Sequence, residues 1–197
     1  MPDRPLILAS ASPRRRQLLE FIGLGFAVVP AEADETPFAG EDPSTYASRA
    51  ARDKALEVAA RHPGRLVLGA DTVVEVDREI LGKPASADDA ASMLRRLSGR
   101  SHLVHTALAL VVDGRLHEVV DSARVEFVQL TDELIRWYVA TGEPTDKAGA
   151  YAIQGLGGLL VSRVDGSPHT VVGLPLHRLP ELFAAHDLDF WSRLAEI

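Results

Sequence analysis

Two hydroxyls and two guanidinium groups crowd one short stretch of the chain, Ser10-Ala11-Ser12-Pro13-Arg14-Arg15. An apolar run precedes it and an amphipathic one follows, so it reads as a strand-to-helix junction. Backbone N–H groups and the helix dipole gather positive potential at such a junction, which suits an anion. Arginine forks beside it can hold phosphate oxygens in two-point contact. A capped surface helix with solvated arginines would use the same residues, so this stretch alone leaves both readings open. A second signal is Gly69-Ala70-Asp71-Thr72, which puts a carboxylate where an apolar strand is expected to end. Strand ends in α/β sheets face the ligand crevice. An Asp there can ligate a hard cation and orient or deprotonate a water. An Asp that only bonds turn amides fits the same pattern.

Further charged groups stand nearby in sequence. Glu32, Asp34 and Glu35 form an acidic loop whose members the sequence does not rank. Lys54 lies beside the apolar stripe of a helix, where a lysine either snorkels to water, the commoner outcome, or points into a cleft. Lys83, in Gly82-Lys83-Pro84, sits in a turn stiff enough to aim an ammonium at a phosphate. Gly155-Leu156-Gly157-Gly158 neither follows a clear strand nor opens a helix, so it is not a dinucleotide fingerprint. The seven histidines have no metal-ligand spacing, and His105 and His169 read as packed or hydrogen-bonded. No Ser-His-Asp arrangement is legible.

The elements that must position these residues follow from periodicity and punctuation. Residues 6–10 read as a short buried strand, and Ser12 caps the next helix with Pro13 at its first position. Leu18, Leu19 and Ile22 form that helix's apolar stripe, and Gly23 stops it. A strand over 26–30 leads to the acidic loop. Pro43 opens a second helix with Ala47, Ala51, Ala55 and Val58 on one face. Residues 66–76 read as an interior strand ending near Asp71. A third helix follows Ser86 and stops at Gly99. Asp113-Gly114 between 102–112 and 115–130 is a two-residue hairpin signal. Thr131 caps a fourth helix that buries Leu134, Ile135, Tyr138 and Val139. Residues 143–158 read as a Gly-rich loop. Strands are expected over 159–164 and 169–172, and a last helix over roughly 175–185. This is an α/β pattern with a mixed sheet and flanking helices.

Composition narrows the function classes. Hydrophobic residues make up 46% and charged ones 25%, ordinary values for a globular chain of 197 residues. That length fits a single domain over 1–197, or one domain built as two lobes. The first apolar run is short and leads directly into Arg14–Arg16, unlike a secretory signal. No stretch approaches the roughly 20 apolar residues of a membrane span. There are no cysteines, so disulfides, thiolate metal sites and cysteine nucleophiles are excluded. A cytoplasmic location with no membrane partner is the expectation. The net charge of −7 argues against binding long nucleic acid. A small anionic ligand would need local cations or a divalent metal.

Taken together, the segments resemble the Maf family of nucleoside triphosphate pyrophosphatases. The likeness rests on Leu8-Ala9-Ser10-Ala11-Ser12-Pro13-Arg14-Arg15, Asp34-Glu35-Thr36, Lys54-Ala55, Gly69-Ala70-Asp71-Thr72-Val73, Gly82-Lys83-Pro84 and Leu97-Ser98-Gly99. It continues through Asp146-Lys147-Ala148-Gly149-Ala150-Tyr151, Ile153-Gln154-Gly155 and Val172-Gly173-Leu174-Pro175, spanning nearly the whole chain in order. The resemblance implies a Maf/ITPase-like α/β fold with two lobes around a deep cleft and, usually, a homodimer. It implies Mg²⁺- or Mn²⁺-dependent cleavage of a nucleoside triphosphate to monophosphate and pyrophosphate. Asp71 matches the catalytic base. Glu35 matches an acidic residue linked to metal and catalysis, so the implied metal ligands are Glu35 and Asp71. Ser10, Arg14, Arg15, Lys54 and Lys83 match positions that hold the triphosphate, with Lys54 and Lys83 counted among the catalytic set.

Arg14, Thr72 and Gln154 look like the subgroup that cleaves dTTP and UTP. The subgroup acting on 7-methyl-GTP tends to carry Trp, Gln and Glu at those places. A Gln amide can both donate and accept, which suits the edge of uracil or thymine. Two alternatives stand beside this: a modified nucleotide such as 7-methyl-GTP as substrate, and a nucleotide-binding regulator of septum formation without important catalysis. Pro168 and Leu160 depart from the usual aromatic and Phe, and the expected effect is on packing near the C-terminal strands.

Overall fold

The computed structural model describes residues 5–194. A mixed sheet runs in the order β2-β1-β3-β5-β6-β7, with β4 paired to β3. Strand β1 (Leu6–Leu8) is parallel to both β2 (Phe26–Val28) and β3 (Leu66–Val76), so Leu8 stands opposite Val28 on one side and Leu68 on the other. All three residues of β1 are buried, as expected of an interior parallel strand. Strand β4 (Glu79–Leu81) turns back antiparallel on β3. Strands β5 (Ser101–Val112) and β6 (Arg115–Phe127) are joined by Asp113-Gly114, both at positive φ (50° and 77°), as the tight hairpin requires. Strand β7 (Val161–Asp165) pairs antiparallel with β6, with a register shift at Glu126/Phe127. The helices are α1 (Pro13–Phe21), α2 (Pro43–Arg61), α3 (Ala87–Leu97), α4 (Asp132–Ala140), α5 (Pro168–Val172) and α6 (Leu179–Ala184). The α/β class with a mixed sheet and flanking helices is therefore as read from the sequence.

The chain forms two compact units. The first runs as far as Asp71, then takes Thr106–Asp121 and the chain from Gly173 onward; the second takes Thr72–His105 and Ser122–Val172. In the first, Ala47, Ala51, Ala55 and Val58 of α2 are fully buried, as are Leu66 and Leu68 of β3. Helix α2 lies very close to that strand. A Cβ on Gly69 would stand 2.2 Å from the Ala51 carbonyl oxygen and 2.9 Å from the Ala55 Cβ. In the second unit, Leu94 and Leu97 of α3 join Val125, Ile135, Tyr138 and Leu160 in one apolar cluster, with α3 packed on α4.

Four expectations need correction. Strand β3 does not end near Asp71 but continues to Val76, because Thr72-Val73-Val74 suits a pleated strand and β4 supplies a partner. Residues 168–172 are helical, not a strand: Pro168 cannot donate to a ladder, and the Thr170 N–H bonds the Ser167 carbonyl at 3.0 Å. The 143–158 segment is not plain loop but contains three short 3₁₀ turns, the last of which (Leu156–Leu160) delays the following strand to Val161. The C-terminal helix is divided into a 3₁₀ turn, Leu176–Arg178, and α6.

Candidate active site

Helix α1 begins as the sequence requires. Pro13 occupies its first turn, and the Ser12 hydroxyl caps it by accepting from the Arg15 N–H. Inside this junction Ser10 and Arg15 are both buried. The Arg15 side chain donates from Nε to the Gly173 carbonyl (2.9 Å) and from Nη1 to the Ser10 hydroxyl (2.9 Å) and the Ala70 carbonyl (2.8 Å). Arg15 thus braces Ser10 against the residue that precedes Asp71. Burial lowers its pKa, with the Asp71 charge opposing that shift. Arg14, one residue earlier, is only half-buried, and its side chain makes no hydrogen bond or ion pair among the described residues.

Asp71 and Lys54 meet in the same unit. Lys54, only 7% exposed, does not snorkel: its ammonium donates to Asp71 Oδ1 at 2.6 Å and lies 2.9 Å from Glu35 Oε1. The close approach at Gly69 carries α2 near enough for this reach. Asp71 is equally buried, whereas the Glu35 side chain is half-exposed on its loop. Two carboxylates from different elements therefore converge on one ammonium, which offsets their mutual repulsion.

Helix α2 also fixes the acidic loop. Asp42 caps the helix by accepting from the Ser44 and Thr45 N–H groups. Tyr46, one turn in, donates its hydroxyl to the Glu35 carbonyl at 2.6 Å. Burial, together with the Asp71 and Glu35 charges, pushes that phenol up to about 12. Arg49 donates to the Thr36 carbonyl (3.0 Å), forks onto both oxygens of Glu41 (2.7 Å each) and lies 4.0 Å over the Phe38 ring. The Arg49 hydrogen bonds hold the Glu41 carboxyl down at about 2. Neither Tyr46 nor Arg49 was singled out from the sequence, although their three-residue spacing puts both on one face of the helix.

Three other expected residues, Thr72, Lys83 and Gln154, belong to the second unit. Thr72 follows Asp71 directly in β3. Lys83 is exposed, and its loop is tied by the Gly149 N–H to the Gly82 carbonyl at 3.1 Å. Gln154 is exposed on the turn that the Gly155 N–H closes onto the Ala152 carbonyl. Glu32 and Asp34 are exposed, and Asp34 bonds the Thr36 N–H of its own loop at 2.9 Å. His105 is hydrogen-bonded as expected, between Ser122 and Glu75 at 2.7 Å each.

Among the described residues no three His, Asp or Glu side chains form a ready metal cage. Glu35 and Asp71 nonetheless offer hard oxygen donors that face one point, now faced by Lys54. Mg²⁺ is commonly held by one or two carboxylates, with waters and substrate phosphates completing its shell, so this donor set fits such an ion.

A mixed α/β sheet, a strand-to-helix junction rich in hydroxyl and guanidinium groups, and a lysine-bridged carboxylate pair define an α/β protein equipped for a charged, oxygen-rich ligand. The chain belongs to the Maf family: the family described as Maf-like protein matches it over residues 5–186. It is 55% identical over 172 residues to a dTTP/UTP pyrophosphatase of Myxococcus xanthus, covering 87% of each chain. It is 53% identical to a protein of the same name from Nitratidesulfovibrio vulgaris, over 90% of this chain and 86% of that one. With the one from Moorella thermoacetica it shares 49%, over 96% and 98%. Of solved structures, a HAM1 protein from Coxiella burnetii covers 65% of this chain and 75% of its own at 16% identity and a TM-score of 0.45, a likeness too loose to bear on the fold.

Proposed function

We propose that the protein hydrolyses nucleoside triphosphates, dTTP and UTP foremost, to the monophosphate and pyrophosphate, with residues 1–197 acting as one pyrophosphatase domain. The observation that carries this reading is the Lys54 ammonium shared by Asp71 and Glu35 beside the Arg15–Ser10 brace. Relatives at about half identity over most of their length carry the matching name. Asp71 accepts a proton from the attacking water as its oxygen bonds to the α-phosphorus and the bond to the β-phosphate oxygen breaks. Arg14 and Lys83 balance phosphate charge, Ser10 donates to a phosphate oxygen, and Arg15 keeps Ser10 and Asp71 in register. Lys54 holds Asp71 in place and supplies positive charge to the triphosphate. Thr72 and Gln154 select the base. Glu35 and Asp71 would hold a Mg²⁺ or Mn²⁺ ion, whose chemistry when bound is to neutralise phosphate charge. The reading includes a homodimer, a cytoplasmic location and a role in cleansing nucleotide pools. Among the described residues no helix is long and apolar enough to cross a membrane.

The test is pyrophosphate release from dTTP, UTP, CTP, dATP, GTP and 7-methyl-GTP, with Mg²⁺ or Mn²⁺ and after chelation. Fastest release from dTTP and UTP, lost on chelation, is expected. Asp71→Asn should lower kcat by about 10²–10⁴, the usual share of a general base, while nucleotide binding persists. Release chiefly from 7-methyl-GTP would overturn the base assignment, and a near-normal rate in Asp71→Asn would remove Asp71 from its role.

A further inference from the structure

Gln154 lies on the surface, yet the turn that carries it is bracketed from inside the second unit. The Glu143 carboxylate accepts three hydrogen bonds. Oε1 takes the Tyr138 hydroxyl (2.7 Å) and the Gly157 N–H (2.9 Å), and Oε2 takes the Leu156 N–H (2.9 Å). The same Tyr138 hydroxyl accepts from the Ala152 N–H at 3.1 Å. Gln154 therefore has an anchor two residues before it, at Ala152, and another two residues after it, at Leu156. Both anchors lead to one carboxylate and the phenol bonded to it. Tyr138 is fully buried on α4, a rigid mount.

The glycines around Gln154 fit this arrangement. A Cβ on Gly155 would lie 2.2 Å from Glu143 Oε2, and one on Gly157 would lie 2.5 Å from the Tyr138 hydroxyl. Without a side chain at these positions, the carboxylate and phenol come close to the turn's backbone. The bonds favour the charged carboxylate. Burial pushes the Glu143 carboxyl up, but the Gly157 N–H, the Tyr138 hydroxyl, the Leu156 N–H and the nearby Lys147 charge outweigh it and hold it below the usual range. Charge-assisted bonds of this kind are stronger than neutral ones, so the turn is held more firmly than its exposure suggests.

We infer that Glu143 is a positioning residue for base selection: through Tyr138, Leu156 and Gly157 it fixes the turn that presents Gln154 to the nucleotide base. The inference rests on the proposed reading of Gln154. Glu143→Gln is nearly isosteric but turns an amide donor toward one of the turn's N–H groups, so one anchor is lost and a repulsion replaces it.

The experiment compares wild type, Gln154→Ala, Glu143→Gln and the double variant on dTTP, UTP and 7-methyl-GTP. Expected for Glu143→Gln is a roughly tenfold loss of kcat/KM on dTTP and UTP, carried by KM, with the preference over 7-methyl-GTP narrowed toward that of Gln154→Ala. The double variant should lose no further discrimination, since both changes act through one contact. Inhibition by inorganic tripolyphosphate, which has no base, should be unchanged. If Glu143→Gln folds poorly, Tyr138→Phe should give the same pattern at smaller size, with faster amide exchange at Ala152. Full base preference in Glu143→Gln alongside its loss in Gln154→Ala overturns the inference and leaves the proposed function standing. An equal loss on all nucleotides and on tripolyphosphate shows a merely structural role and overturns it as well. Wild type that releases pyrophosphate from none of them overturns the proposed function and the inference together.

Discussion

Gly69→Ala should damage both stability and catalysis, although by general rules a strand glycine gains from replacement. Where the backbone allows it, Gly→Ala stabilises by about 0.4–1 kcal/mol through the unfolded chain. Here the new Cβ would lie 2.2 Å from the Ala51 carbonyl oxygen, with ordinary contact beginning at 3.4 Å, and 2.9 Å from both the Ala55 Cβ and N. These atoms belong to the helix itself, so no side-chain rotation relieves the overlap. Helix α2 must withdraw by about 1 Å, and such overpacking costs about 1–3 kcal/mol. The same withdrawal carries Lys54 away from Asp71, from 2.6 Å to beyond hydrogen-bond range. A misplacement of about 1 Å in catalytic geometry is worth about 10²-fold in rate. Urea unfolding and initial rates of pyrophosphate release measure the two effects separately. Gly25→Ala is the control: a Cβ there meets nothing within 4 Å. A Gly69→Ala protein as stable and active as Gly25→Ala would refute the claim that this close approach sets the Lys54–Asp71 geometry.

Two more perturbations follow from the same contacts. Arg49→Lys keeps the charge but loses the fork on Glu41 and with it the Thr36 contact. kcat/KM should fall about tenfold as the Glu35 loop loosens, with little change in melting temperature; an unchanged kcat/KM would dismiss the clamp. His102 should make the fold acid-labile. Its Nε2 meets the Tyr151 hydroxyl at 2.9 Å, its Nδ1 has no partner among the described residues, and burial lowers its pKa from 6.5 to about 4. Between those values the unfolded chain takes up a proton that the native state refuses, so stability is full above about pH 6.5 and declines as pH falls toward 4. The loss approaches roughly 3 kcal/mol over that window. Urea midpoints from pH 7.5 to 4.5 would show it, and a His102→Phe protein with the same slope would assign the effect elsewhere.

What the sequence made legible was local. Asp113-Gly114 announced its hairpin because both residues tolerate positive φ, and Ser12-Pro13 announced the start of α1 because cap and first turn are neighbours. The turn at Asp77-Arg78 adopts the same left-handed geometry without a glycine, so it gave no signal, and β4 went unread with it. Val171 and Val172 spoke for a strand, yet Pro168 decided for a helix. The site was legible as a set of residue types and not as a set of contacts. Lys54 beside an alanine stripe looked like a snorkelling lysine, and only the contact of α2 with Gly69, a partner distant in sequence, turns it inward. Glu143 and Tyr138 act on a turn more than ten residues away, a relation no periodicity reports.

Helix α2 is what makes the two carboxylates one site. Asp71 stands on a rigid strand and Glu35 on an exposed loop, and nothing in their own segments sets the distance between them. Tyr46, Arg49 and Lys54 all project from one helix within an arc of about 140°, taking 100° per residue. Lys54 reaches the strand carboxylate and the loop carboxylate directly, while Tyr46 and Arg49 hold the loop's backbone at Glu35 and Thr36. A shift of this helix would therefore move the charge balance of Asp71 and the position of Glu35 together. The alanines that line its inner face are small because bulk there would lift it away, and Gly69 completes that fit from the strand side. Small residues that look featureless in the sequence thus fix the distance on which the proposed chemistry depends.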